Sequence, residues 1–113
     1  KIAKSAKEAL ILMPYFDPGS LGTLSRFLLD EEFFVLIRTI SSAMQYLHGK
    51  NPPLAHHDIK PDNILFDIHN NNFVLIDFGS MGPANINVNS WEHSLELQEF
   101  FDYGATPEYR FGI

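Results

Sequence analysis

Between residues 33 and 47, apolar side chains recur at spacings of three and four: Phe33, Leu36, Ile37, Ile40, Ala43, Met44 and Leu47. This period predicts an amphipathic helix whose stripe packs into a core. Asp30 stands where an N-cap belongs, and Glu31 and Glu32 follow in the first turn, where the helix dipole favours acids. Gly49 ends the helix, and Pro52-Pro53 prevent its restart. Upstream, Ala9 to Met13 reads as a buried strand stopped by Pro14. "DPGS" (17–20) has turn chemistry, and "LGTLSRFLL" (21–29) predicts a short helix. Downstream, "PLAHH" (53–57) is a short strand entry. "NILFDI" (63–68) and "NFVLID" (72–77) are two strands joined by "HNNN", whose asparagines tolerate left-handed backbone angles. Residues 82–89 read as loop. "SWEHSLELQEFFDY" (90–103) predicts a helix starting near Ser90 or Ser94, with Leu97, Phe100 and Phe101 on one face. Turn residues close the chain, and no repeat is visible.

Composition narrows this picture. The 113 residues suit one small domain, and 45% of them are apolar, which is globular and not disordered composition. A formal net charge of −6 argues against a nucleic-acid groove. Nucleotide binding stays open, because metal ions and a few lysines offset phosphate charge. The absence of cysteine excludes disulfides and is compatible with a cytosolic protein. No apolar run approaches the roughly 20 residues of a membrane span. The chain starts with Lys1 and shows no signal-peptide pattern, so a piece of a longer protein is expected.

The candidate chemistry sits in "HHDIKPDNILFD" (56–67) and "VLIDFGS" (74–80). Antiparallel pairing of the two strands would bring Asn63, at the start of the first, near Asp77, at the end of the second. An amide oxygen and a carboxylate are hard ligands suited to Mg²⁺. Asp58 lies upstream in a loop, and Lys60 adds a mobile positive charge there. Together these groups can hold a metal-bound polyphosphate and orient a hydroxyl.

"HHDIKPDNIL" resembles the catalytic loop of protein kinases, and "DFGS" resembles their metal-binding motif. Five fixed residues at this spacing arise by chance on the order of once in a few million positions. "ILMPYF", "GSLGTL", "VLIDFGSMG", the leucine-bearing stretch after it and "YR" near the end are similar to the myristoylated and palmitoylated serine/threonine kinase family, in the numb-associated branch. The resemblance implies an α+β fragment of the kinase fold. Residues 1–16 would be the last strand of the N-terminal lobe and the hinge, 17–76 the start of the C-terminal lobe, and 77–113 the activation segment. It implies ATP and Mg²⁺ as cofactors and a protein serine or threonine hydroxyl as acceptor. Asp58 would orient the acceptor hydroxyl, Lys60 would contact the transferring phosphate, and Asn63 and Asp77 would hold Mg²⁺. Lys60, together with Thr106 in "TPEYR", matches the serine/threonine type, with Thr106 bonding toward Asp58 and Lys60. Met13 falls at the gatekeeper position and Pro14 and Phe16 at the hinge. Leu65 and Ile76 would close the adenine pocket from below, and Ser20 would reach the ribose.

Two departures from the pattern stand out. His57 replaces the usual arginine, which predicts weaker dependence on activation-segment phosphate. His56 is read as a buried, hydrogen-bonded structural histidine. "YR" runs into "FGI" (111–113) where Ala-Pro-Glu is usual, and no glycine-rich loop, strand lysine or partner glutamate precedes residue 1. Two other readings follow: a truncated, non-catalytic kinase-like scaffold or pseudokinase, and a small-molecule kinase. Lys60, DFG and "TPEYR" argue against the latter. The family is lipid-anchored through residues outside this chain, so a cytoplasmic location with membrane association in the parent protein is the expectation.

Overall fold

A computed structural model describes residues 1–4, 7–104, 106 and 108. The expectations for Pro107 and for "YR" and "FGI" lie outside the described residues. The architecture is α+β, as expected, with three two-stranded antiparallel sheets and two α-helices among the described residues. Strand β1 (Ile2–Lys4) pairs with β2 (Ala9–Ile11). Helix α1 spans Asp30–His48 and leads to β3 (Leu54–Ala55). The hairpin of β4 (Ile64–Asp67) and β5 (Asn72–Leu75) follows. Then come β6 (Gly82–Pro83), which pairs with β3, and α2 (Trp91–Gly104).

The hairpin forms where the alternation placed it. Ile64 faces Leu75, and Phe66 faces Phe73, so one face of both strands is apolar throughout. These four side chains are the buried core, and the two phenylalanine rings stack at 5.1 Å. Each such burial contributes about 1.5–3 kcal/mol. Asn71 takes the left-handed angles the polar turn requires (φ 45°). Leu36, Ile40 and Ala43 of α1 pack onto this core, joined by Ile59, and Leu47 is buried as well. Thr39 donates to Asn72 Oδ1 at 2.6 Å, fixing α1 against the start of β5.

Five expectations need correction. The apolar run closed by Pro14 forms strand only over Ala9–Ile11, and it is exposed: Leu10, Ile11, Leu12 and Met13 all face outward. Among the described residues, only β1 pairs with it. Residues 21–29 form no helix beyond one 3-10 turn, Leu21–Thr23. Arg26 and Leu29 bond to Glu32 instead, which holds that stretch extended toward α1. The N-cap of α1 is Leu29, and Asp30 is already helical. Glu32 takes the capping role by accepting the Leu29 N–H at 2.8 Å. Of the predicted stripe, Phe33 and Ile37 lie on the exposed flank of α1. Finally, residues 82–83 leave the predicted loop to pair with β3. The helix after Ser90 forms as expected, with the Ser90 hydroxyl accepting the His93 N–H at 3.0 Å, though Phe100 is half exposed.

The Arg26–Glu32 pair is bidentate, at 2.8 and 2.7 Å. These bonds, then the Leu29 N–H, lower the Glu32 pKa from 4.5 to about 2, against the opposing effect of burial. A carboxyl whose folded pKa is depressed stabilises the fold above its ordinary pKa and loses that contribution as pH falls toward the folded value. Thermal unfolding of the protein should therefore lose stability between about pH 4.5 and 2 through Glu32. Glu32→Gln should be less stable at pH 6 and show a flatter acid profile. Parallel profiles for the two proteins would contradict this.

Candidate active site

Residues 56–63 leave β3 and enter β4 through a tight path. Ile59 packs against the hairpin core and anchors the loop between Asp58 and Lys60. Pro61 opens a 3-10 turn, Pro61–Asn63, that the Asn63 N–H closes on the Lys60 carbonyl at 3.0 Å. This turn delivers Asn63 beneath Asp58. The buried Asn63 amide nitrogen donates to the Asp58 carbonyl at 2.9 Å and to its Oδ2 at 3.1 Å. Asp58 Oδ1 accepts the Thr106 N–H at 3.1 Å and the Thr106 hydroxyl at 2.9 Å. The Lys60 ammonium lies 3.5 Å from Asp58 Oδ2 and donates to the Thr106 hydroxyl. That hydroxyl therefore accepts from Lys60 and donates to Asp58. Sequence reading expected these two contacts of Thr106, and the structure brings all four residues together.

Burial pushes the Asp58 carboxyl up. The Thr106 N–H and hydroxyl, the Lys60 charge and the Asn63 amide together outweigh it and hold Asp58 below its ordinary value. Asp58 is thus an anion at neutral pH, well placed to accept a hydrogen bond from an incoming hydroxyl.

His56 is fully buried, and its Nε2–H donates to the Ile76 carbonyl at 2.9 Å. Its Nδ1 accepts the Asp58 N–H at 3.2 Å, so the ring is the neutral Nε2-protonated tautomer. The Phe78 ring meets it edge-on at 5.3 Å. One imidazole thereby ties the backbone of Asp58 to the end of the hairpin.

The Ile76 N–H bonds the Asn63 carbonyl at 2.9 Å, which extends the β4–β5 pairing by one position. Asp77 comes next, exposed, with a left-handed backbone (φ 62°) and Oδ1 accepting the Gly79 N–H at 3.2 Å. Because the Asn63 amide nitrogen is turned to Asp58, its oxygen points away from that carboxylate. Among the described residues, no hydrogen bond engages this oxygen, and no three His, Cys, Asp or Glu side chains cluster as a metal cage. A metal at Asn63 and Asp77 would take its remaining oxygens from a bound ligand and water, the habit of Mg²⁺.

The residues expected around adenine divide. Ser20 forms an isolated bridge with Leu65, and Leu65 and Ile76 are half-buried on the hairpin face opposite the core. Met13 and Pro14 are exposed and Phe16 is half-buried. A hollow of about 300 Å³ lies between residues 14–18 and 66–70. It includes Pro14 and Phe16 but not Met13, Ser20, Leu65 or Ile76.

Sequence reasoning missed three supports of this site. A Cβ on Gly22 would stand 1.9 Å from Asp62 Oδ1, so the 3-10 turn at Leu21–Thr23 sits directly against the Pro61–Asn63 turn. The Ser80 hydroxyl donates to the Gly104 carbonyl at 2.7 Å, tying the end of α2 to the segment after Asp77. The His57 ring meets Phe101 of α2. None had a local signal, because each joins residues far apart in sequence.

The profile of the family described as "Protein kinase domain" matches residues 1–110. Serine/threonine-protein kinase 16 of Mus musculus is 34% identical over 110 residues, covering 91% of this chain and 35% of that protein. The Homo sapiens protein of the same name is 33% identical over the same shares. Receptor-interacting serine/threonine-protein kinase 4 of Mus musculus is 33% identical over 93 residues, 80% of this chain and 11% of that protein. The chain therefore spans about a third of the kinase 16 relatives, or less of the others.

Thr106→Ala removes one of the donors that hold the Asp58 carboxyl down. A carboxyl-carbon NMR titration should show the Asp58 pKa moving up from its wild-type value. A downward move, or none, would contradict the assigned role of the hydroxyl.

Proposed function

The chain belongs to the protein kinase family, and on that premise we propose that it carries the phosphoryl-transfer centre of a serine/threonine protein kinase. The observation behind this reading is the Asp58 carboxylate held between Asn63, Lys60 and Thr106. In this reading residues 1–16 end the small lobe and form the hinge, 17–76 begin the large lobe, and 77–113 are the activation segment. Asp58 is the general base: it orients the serine or threonine hydroxyl and accepts its proton as the oxygen bonds to the γ-phosphorus of ATP and the bond from that phosphorus to ADP breaks. Such a group contributes typically 10²–10⁴-fold. Lys60 is close enough to Asp58 to stabilise charge on the transferring phosphoryl group while its own charge is balanced. Asn63 Oδ1 and the Asp77 carboxylate form the hard-oxygen pair that would hold Mg²⁺, which when bound neutralises and orients the polyphosphate of ATP.

Adenine would lie on the face formed by Leu65 and Ile76, with Ser20 beside the ribose and Met13, Pro14 and Phe16 along the edge. The backbone of residues 14–16 would supply the hydrogen bonds there, so the missing N–H of Pro14 leaves a carbonyl to accept. The acceptor is a protein segment bearing serine or threonine. A cytoplasmic location of the parent protein belongs to the same reading, by analogy with the family. No described helix is long and apolar enough to cross a membrane.

A non-catalytic, scaffold-like role is the second reading, and the same experiment separates the two. In the full-length protein, Asp58→Asn and Asp77→Asn should each lower phosphate transfer to a serine/threonine substrate by about 10²-fold or more. Transfer surviving in both variants would overturn the assignment. A wild-type protein that binds ATP but transfers nothing would favour the scaffold.

A further inference from the structure

We propose that His57 is a positioning residue that latches α2 onto the loop carrying Asp58, an inference that rests on the kinase reading above. His57 stands where the family pattern expects arginine, so its role is not inherited from that pattern. Its backbone is left-handed (φ 68°), a conformation that a residue with a side chain keeps only where its surroundings hold it. Two contacts do so. The ring Nε2–H donates to the Pro83 carbonyl at 3.1 Å. The ring also meets Phe101 edge-on, with centroids 5.0 Å apart and planes at 65°.

Each contact reaches a different part of the following segment. Pro83 belongs to β6, which is paired with β3, the strand that runs into His56 and His57. The hydrogen bond therefore closes a small unit around the start of the loop. Phe101 lies three residues before the end of α2, and the Gly104 carbonyl there is held by Ser80. Thr106, two residues further, bonds Asp58. The His57 ring thus sits at the junction of two routes to Asp58. One is the adjoining peptide bond, and the other runs through Phe101, the end of α2 and Thr106. Rotating or removing the ring disturbs both together. The latch needs no phosphate, because a carbonyl and a ring face the imidazole and its Nε2–H is present whether the ring is neutral or charged.

Four single variants of the full-length protein and one double variant test this. His57→Ala removes ring and donor, His57→Phe keeps the ring alone, His57→Asn keeps a donor and tolerates left-handed angles, and Phe101→Leu removes the partner ring. Steady-state kinetics and amide hydrogen exchange over residues 91–104 are read for each. His57→Ala should lower kcat by about tenfold or more, with KM for ATP within about twofold of wild type. Exchange in α2 should rise in the same variant. His57→Phe and His57→Asn should each recover part of both losses. The His57→Ala/Phe101→Leu double variant should be no worse than His57→Ala alone, the mark of one shared interaction. Unchanged α2 exchange in both His57→Ala and Phe101→Leu, or losses that multiply in the double variant, would overturn the latch. If His57→Ala does not fold, His57→Phe and Phe101→Leu carry the same comparison. Exchange does not depend on transfer, so an inactive protein with a loosened α2 would sink the kinase reading and leave the latch standing.

Discussion

The carboxylate of Asp58 is where three separate stretches of chain meet. It accepts from Asn63, five residues on, and twice from Thr106, 48 residues on, while Lys60 lies beside it. Hydrogen bonds to a charged group contribute about 1.5–3 kcal/mol each, roughly twice the neutral kind. The same asymmetry makes the arrangement exacting, since a partner removed leaves a half-buried charge under-solvated. Thr106 is held to the loop by this carboxylate and by Lys60.

The rest of the fold supplies a floor for that junction. The hairpin core of Ile64, Phe66, Phe73 and Leu75 fixes the strand register, and register alone decides that Asn63 and Asp77 end up at the same edge. α1 backs the hairpin through its apolar stripe and through Thr39. His56 then couples the loop to that edge, with one nitrogen on each side. A slip of one residue in β5 would turn Phe73 and Leu75 outward while Phe66 stayed inward, and would shift Asp77 relative to Asn63. Core packing and site geometry are in this sense one constraint.

Much of this was legible because it is periodic or local. The 3.6-residue period located α1, and alternation with an asparagine turn located the hairpin. Antiparallel pairing put Asn63 and Asp77 at the same end of the hairpin. What failed were statements about burial and about distant partners. Periodicity marked Phe33 and Ile37 as apolar without showing what would cover them, and they are exposed. The same holds for Leu10 to Met13. Residues 21–29 have helical spacing, but Arg26 is drawn into a bidentate pair with Glu32 and lies 5.9 Å over the Phe66 ring, a tertiary demand that overrides local propensity. The contact of Thr106 with Asp58 was reached only through the family resemblance, because no local rule links positions so far apart. The contacts of Gly22, Ser80 and Phe101 had neither kind of signal.

In the proposed function, Asn63 and Asp77 share one divalent ion beside Asp58. The most direct measurement is a crystal structure of the full-length protein with Mg²⁺ and a non-hydrolysable ATP analogue. Asn63 Oδ1 and an Asp77 carboxylate oxygen should lie at about 2.0–2.1 Å from the same ion, with the terminal phosphate facing Asp58. Metal and nucleotide bound elsewhere, or the Asn63 oxygen turned away from the ion, would contradict it.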